Sequence, residues 1–242
     1  MNSPLVTYTQ LSPNNSGKRT QPISRITPHC VVGQLTAAGI AACFTSRSRQ
    51  ASCNYGIGTN GDISLIVNED SRSWCSSSAI NDQRAVTIEC ASDSYAPYKM
   101  NGKVWNSLVN LCVDICKRNG KKKLLWISDK NKALSYESKK DEMLLTVHRW
   151  FANKACPGDW LYVRLGKLAE EVTNQLCGYT QYKVLITVKR LPVKAKPRAT
   201  SKTMMYVYKG GCFTIVQESK SKSWGKLKSG AGWIILKRTK KV

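Results

Sequence analysis

Apolar and polar positions change period several times along the chain, and each change marks an element. Residues 1–24 are polar, rich in Ser, Asn, Pro and Thr, and predict an extended arm or loop. RITPHCVV (25–32) is a β-type run, and GQLTAAGIAACF (33–44) predicts a short helix after a turn. SCNYGIGTNGDISLIVNE (52–69) predicts a hairpin, because Asn60-Gly61 is a turn signal between two β-prone runs. In RAVTIECAS (84–92), Val86, Ile88 and Cys90 alternate with Thr87 and Glu89, the pattern of a buried strand. Val104, Leu108, Leu111, Cys112 and Ile115 recur at helical spacing, and Asn119-Gly120 ends that helix. Cys112 and Cys116 lie one turn apart on it and read as part of its packed apolar face. LLWI (124–127) is short and strand-like, and DWLYVRLGKLAEEVTNQL (159–176) predicts a last helix capped by Asp159 and ending near Gly178. Alternating strands and helices predict an α/β domain with a mixed central sheet.

From Tyr182 onward the period shortens. YKVLITV, TMMYVYK, GCFTIVQE, WGKLK and GWIILK are short β-type runs broken by Gly, Pro, Ser and Lys, a pattern that predicts a small all-β barrel. RLPVKAKPRAT (190–200) reads as a basic, Pro-rich loop. The expected organisation is an N-terminal arm (1–23), an α/β domain (24–178) and a small β domain (179–242).

Charge adds a partner to this picture. The 242 residues carry 38 Lys and Arg against 15 Asp and Glu, a net charge of +23. Sixteen of those bases and a single acid, Glu218, fall in residues 179–242, leaving net +8 for residues 1–178. Such an imbalance bears on partners and leaves the fold open. It points to a polyanion: nucleic acid, an anionic membrane surface or an anionic cell-wall polymer. The ten cysteines form no paired CxxC knuckles, and the chain is too rich in core residues to be a disulfide-stapled miniprotein, so reduced thiols are expected. The N-terminus has no secretory apolar core and no run approaches a membrane span, which predicts synthesis in the cytoplasm without a signal peptide.

Candidate chemistry concentrates in LTVHRWFANKACPGDW (145–160), which holds His148, Lys154 and Cys156. The one other histidine, His29, ends the first β-type run. Two imidazoles and a thiolate suit zinc, and three protein ligands leave a fourth position open for water. Lys154 would stand beside the metal as a fixed positive charge able to stabilise an oxyanion. The alternative is structural: a buried apolar Cys and a hydrogen-bonded core His.

With these residues assembled, the chain over about residues 24–178 resembles the zinc-dependent N-acetylmuramoyl-L-alanine amidases of the type-2, peptidoglycan-recognition-protein-like family. In that family a His ends the first core strand. A late segment then supplies a His, a Lys six residues on, and a third ligand two residues later. The resemblance implies His29, His148 and Cys156 as Zn2+ ligands and Lys154 as a catalytic residue. It adds Tyr55, an aromatic in the hairpin that would orient the reacting centre, and Glu89 as candidate proton acceptor. The implied reaction is hydrolysis of the amide between the lactyl group of N-acetylmuramic acid and L-Ala. Many relatives carry Trp-His where this chain has Trp74-Cys75, so no substrate role passes to Cys75. Residues 181–242, with Trp224, a Gly-rich turn and Trp233 in WGKLKSGAGWIIL, resemble a bacterial SH3-like domain. This implies a phage endolysin or autolysin that reaches its substrate by holin-dependent release and is held on anionic wall polymers.

Three other classes compete. A binding-only peptidoglycan-recognition protein would lose ligands, and all three are present. A cysteine hydrolase using Cys156 and His148 lacks a nucleophile elbow. A nucleic-acid-binding protein would rest on charge and on aromatics such as Tyr206 and Tyr208. The wall-hydrolase reading expects no nucleic-acid partner and no transmembrane segment.

Overall fold

The computed structural model describes residues 1–178, 181–219 and 221–242. The chain divides into two compact units, Met1–Leu176 and Cys177–Val242. The expected start of the β domain at residue 179 lies outside the described residues.

The first unit runs β1 (Tyr8–Thr9), β2 (Asn15–Lys18), β3 (Arg25–Cys30), α1 (Ala37–Ala42), β4 (Tyr55–Ile57), β5 (Ile63–Leu65), β6 (Ser71–Ser73), α2 (Ala79–Arg84) and β7 (Ala85–Cys90). It continues with α3 (Gly102–Arg118), β8 (Lys123–Leu125), α4 (Lys130–Ser135), β9 (Glu142–Leu145), α5 (Asp159–Tyr162) and α6 (Leu165–Leu176). Seven strands form a mixed sheet in the order β1-β5-β4-β7-β3-β9-β8. Parallel pairing joins β3 to β7 and β9, while β4 and β5 form the antiparallel hairpin read from Asn60-Gly61. Every residue of β3 is buried, as a strand covered on both faces requires. β9 pairs with β3 only at Arg25 and Ile26. Beyond that point the two strands part, so Pro28, which has no N–H to give a ladder, is tolerated in a central strand.

The apolar face of α3 is buried against the core, Cys112 and Cys116 included. Asn101 caps it by accepting from the Lys103 and Val104 amides. Two expectations change here. The last helix is broken: Val163 and Arg164 separate α5 from α6, and Gly158, with φ 80°, occupies the cap position expected of Asp159. Asp159 instead pairs with Arg149 at 2.9 Å. The N-terminal residues are also no free arm. β1 pairs in parallel with β5, β2 pairs with β6, and the Ser3 amide donates to the Tyr55 hydroxyl. Polar residues there supply edge hydrogen bonds, which hydropathy does not register.

The second unit contains β10 (Tyr182–Ile186), β11 (Arg190–Lys194), β12 (Thr203–Tyr208), β13 (Cys212–Glu218), β14 (Trp224–Leu227), β15 (Trp233–Ile235) and β16 (Thr239–Lys241). They form an all-β sheet in the order β12-β11-β15-β14-β13-β10-β16, consistent with an SH3-like domain. Val184, Ile186, Leu191, Val193, Val207, Ile215, Leu227 and Ile234 are its core. The segment read as a basic loop contains β11. Leu191 and Val193 alternate inward across Pro192, so period two prevails over the Pro-rich composition. Among the described residues no helix is long and apolar enough to cross a membrane.

Candidate metal centre and active site

The parting of β9 from β3 opens the place where the candidate residues meet. His29 lies near the C-terminal end of β3 and is register partner of Glu89 on β7, so both side chains share one face of the sheet. After β9 the chain turns into a short 3-10 turn, His148–Trp150, that brings His148 to the same end. Its ring centroid is 5.1 Å from that of His29. The following loop is tied back by the Arg149 amide donating to the Cys156 carbonyl at 3.1 Å. Stacking of Trp150 on Trp126, centroids 5.1 Å apart, anchors the turn from beneath. A local turn thus presents His148 and Cys156 together, which is why the two candidate ligands lie so close in sequence.

Donor atoms of His29, His148 and Cys156 lie within 4.8 Å of one another. Cys156 Sγ is 3.2 Å from His29 Nδ1, and Glu89 Oε1 is 3.9 Å from that same nitrogen. Zinc–ligand bonds of about 2.0–2.3 Å separate tetrahedral donors by roughly 3.3–3.8 Å, close to this spacing. His29 Nε2 and Glu89 Oε2 are buried without a hydrogen-bond partner. Leaving such atoms unmet costs about 1–3 kcal/mol each, while the atoms that face each other across the cluster are His29 Nδ1 and Glu89 Oε1. Burial, then the charge of His148, pushes His29 down to about 3, so it is neutral and able to ligate. The residues present therefore fit a zinc ion.

Glu89 is pushed up to about 7 by burial, opposed by Arg49 and a hydrogen bond from Cys75. A carboxyl tuned to that range can take and return a proton near neutrality. The Cys156 thiol is held well above its ordinary value, first by the Cys30 thiol and then by burial. Without a metal it stays protonated and is a poor nucleophile, which weighs against a cysteine hydrolase.

His148, Glu89 and Lys154 border a cavity of about 810 Å3, together with Arg49, Arg72 and Trp74. Lys154 is exposed and close enough to His148 to depress its pKa further, although burial is the larger cause. Tyr55 does not join this group. It pairs with Ile88 while Gly56 pairs with Glu89, so Tyr55 projects from the opposite face of the sheet. It is fully buried, and its hydroxyl donates to Glu69 at 2.7 Å. The expectation that Tyr55 orients the reacting centre is therefore corrected: an aromatic in the right hairpin stands one residue out of phase.

Two neighbours, Ser77 and Asp82, were not legible in the sequence, and Cys75, to which no role was carried, joins them. Cys75 Sγ lies 3.9 Å from Glu89 Oε1, and Cys75, Glu89 and His29 form a second group of close donors. Ser77 Oγ is 3.0 Å from His148 Nε2. Asp82 accepts from the Cys75 and Ser76 amides and so fixes the loop carrying both. The serine-rich run SWCSSS followed by an Asp was the available signal, since such carboxylates close turns on nearby amides.

The sequence pattern of the Amidase_2 family, N-acetylmuramoyl-L-alanine amidase, matches residues 19–159. No curated protein matches the chain. Among solved structures, PlyL is similar at 14% identity over 68% of this chain and 95% of its own, with a TM-score of 0.50. The Staphylococcus aureus hydrolase AmiA in complex with its ligand matches at 13% identity over 74% of this chain and 87% of its own, TM-score 0.49. An endolysin N-acetylmuramoyl-L-alanine amidase, LysCS from Clostridium intestinale, matches at 14% identity over 66% and 95%, TM-score 0.44. The PlyL likeness shows a shared fold, and the family match covers more than half of the chain. The chain belongs to the N-acetylmuramoyl-L-alanine amidase family, and it is a hydrolase that acts on the peptidoglycan of the bacterial cell wall.

Proposed function

We propose that the amidase is zinc-dependent, with His29, His148 and Cys156 holding the ion, and that it serves as an endolysin released by a holin-like partner. The observation that carries the metal assignment is the convergence of two imidazoles and a thiol whose donor atoms lie within 4.8 Å of one another. A zinc ion held there would supply Lewis acidity toward the scissile carbonyl and the attacking water. Glu89 accepts a proton from the attacking water and returns it to the departing L-Ala amine. Lys154 places its ammonium on the cavity side and stabilises the oxyanion that develops on the carbonyl oxygen. Tyr55 has no part in these steps.

The second unit is proposed to hold the enzyme on anionic wall polymers. Net +15 over residues 179–242 supports this reading. So does the outward face of β11 and β12, where Arg190 lies 3.4 Å over the Tyr206 ring beside the exposed Tyr208. A cation on an aromatic platform suits a charged glycan or polyol phosphate.

The test is incubation of the full chain with purified peptidoglycan, with and without a chelator, scoring released stem peptides that carry a free L-Ala amine. Release that stops on chelation and returns with zinc is expected. Release that survives chelation but ends on thiol alkylation would replace the metal with a Cys156 nucleophile.

A further inference from the structure

A second cavity, of about 370 Å3, lies at the other end of β3. Arg25 is the first residue of that strand and His29 the fifth, so the two ends are separated by about 13 Å. Arg25 and Arg84 both line the cavity, with Ser24, Ser135 and Ser138 around them. Arg25 is only 8% exposed, and its Nη1 donates to Asn81 Oδ1 at 3.2 Å. Asn81 is neutral; its amide nitrogen donates to Thr27 and Ser76, and its oxygen accepts from Thr146 as well. Among the described residues, neither arginine has an ion-pair partner. Glu137 also borders the cavity and is exposed, but it pairs with neither arginine. Glu142 is buried nearby on β9, yet its carboxylate is taken by the Tyr136 hydroxyl at 2.7 Å, the Lys139 amide at 3.1 Å and Lys123 at 3.9 Å.

An arginine cannot shed its charge to suit a buried position. A buried cation without a counter-charge is costly, and a second cation beside it raises the cost. Burial and the Arg84 charge accordingly both lower the Arg25 pKa. The lining suits an anion with several acceptor oxygens, because two guanidinium groups offer forked donors and Ser24 and Ser138 offer hydroxyls, that of Ser135 being committed to the Asn131 carbonyl at 2.8 Å. We propose that this cavity is a phosphate-binding site, with one phosphate group held between Arg25 and Arg84. A tetrahedral, multiply charged group meets both forks at once, which a single carboxylate does less well. The phosphate comes either as the free ion or as a monoester.

Thermal unfolding of the full chain tests this. Inorganic phosphate, glycerol 3-phosphate, acetate and chloride are compared at equal ionic strength, so that screening of the basic surface is common to all. At one hundred times its dissociation constant, phosphate should raise Tm by about 5–10 °C over chloride. A rise with glycerol 3-phosphate as well identifies the monoester as a ligand, and a rise with inorganic phosphate alone identifies the free ion. Arg84 is exposed, so Arg84→Gln should fold and lose the rise. Arg84→Glu places a carboxylate beside Arg25; it should gain Tm in chloride and show no further response to phosphate. An equal rise in Arg84→Gln, an equal response to acetate, or no rise in the unmodified chain would each overturn the proposal.

Discussion

Replacing Tyr55 with Phe removes one oxygen and separates a structural role from a catalytic one. The hydroxyl donates to Glu69 at 2.7 Å and accepts from the Ser3 amide at 2.9 Å. Burial and then the Glu69 charge raise its pKa above the ordinary phenol range, so it is a donor at every working pH. Glu69 keeps two bonds from Arg118, each 2.7 Å, in the variant. The loss is therefore one hydrogen bond to a charged group, worth about 1.5–3 kcal/mol, with the buried Ser3 amide also left unmet. At roughly 2–4 °C per kcal/mol for a chain of this size, Tm should fall by about 3–12 °C. Turnover on purified peptidoglycan, measured well below the new Tm, should change by less than about threefold, because the side chain projects from the face opposite Glu89 and His29. Calorimetry and a peptide-release assay on the same preparation decide the matter. A variant with unchanged Tm and turnover reduced a hundredfold would refute the placement and return Tyr55 to the reacting centre.

Lys154→Ala should lower turnover by about 100–1,000-fold while zinc content, read by atomic absorption, stays at the unmodified level. Cys156→Ala should lose zinc during dialysis and lose activity with it, and added zinc should restore little of either. Glu89→Gln keeps the shape but cannot accept a proton, so turnover should fall about 100-fold or more with zinc retained, and the rise of activity through pH 7 should disappear. Gly58→Ala should destabilise the first unit by about 1–3 kcal/mol in denaturant melts, since an added Cβ would sit 2.3 Å from the Ala37 amide nitrogen.

The proximity of His29, His148 and Cys156 was legible because these residues carry rare chemistry. A chain with two histidines leaves little choice, and the spacing of His148, Lys154 and Cys156 is fixed by one local turn. Glu89 was legible because its strand alternates cleanly and shares parity with His29. Tyr55 was misread because hairpin membership says nothing about phase, and a one-residue shift exchanges the faces of the sheet. Ser77 was hidden, and Cys75 was left without a role, because their loop owes its place to Asp82, a contact formed through space. In the second unit the pattern gave short strands, but Pro192 concealed β11, where proline sits between two inward apolar residues. The Arg25–Arg84 cavity had no sequence signature, since it depends on which cations the fold leaves without acids.

The pairing of β1 with β5 has a practical consequence for handling this enzyme. Two residue pairs, Tyr8 with Ser64 and Thr9 with Leu65, cover one side of the hairpin strand β5. Removing the first dozen residues in the belief that they are dispensable would uncover the backbone of a strand flanked by the buried Ile63 and Leu65. An open edge of that kind recruits strands from other molecules. The shortened enzyme would then fail in the tube as a concentration-dependent precipitate, while His29, His148 and Cys156 remained intact.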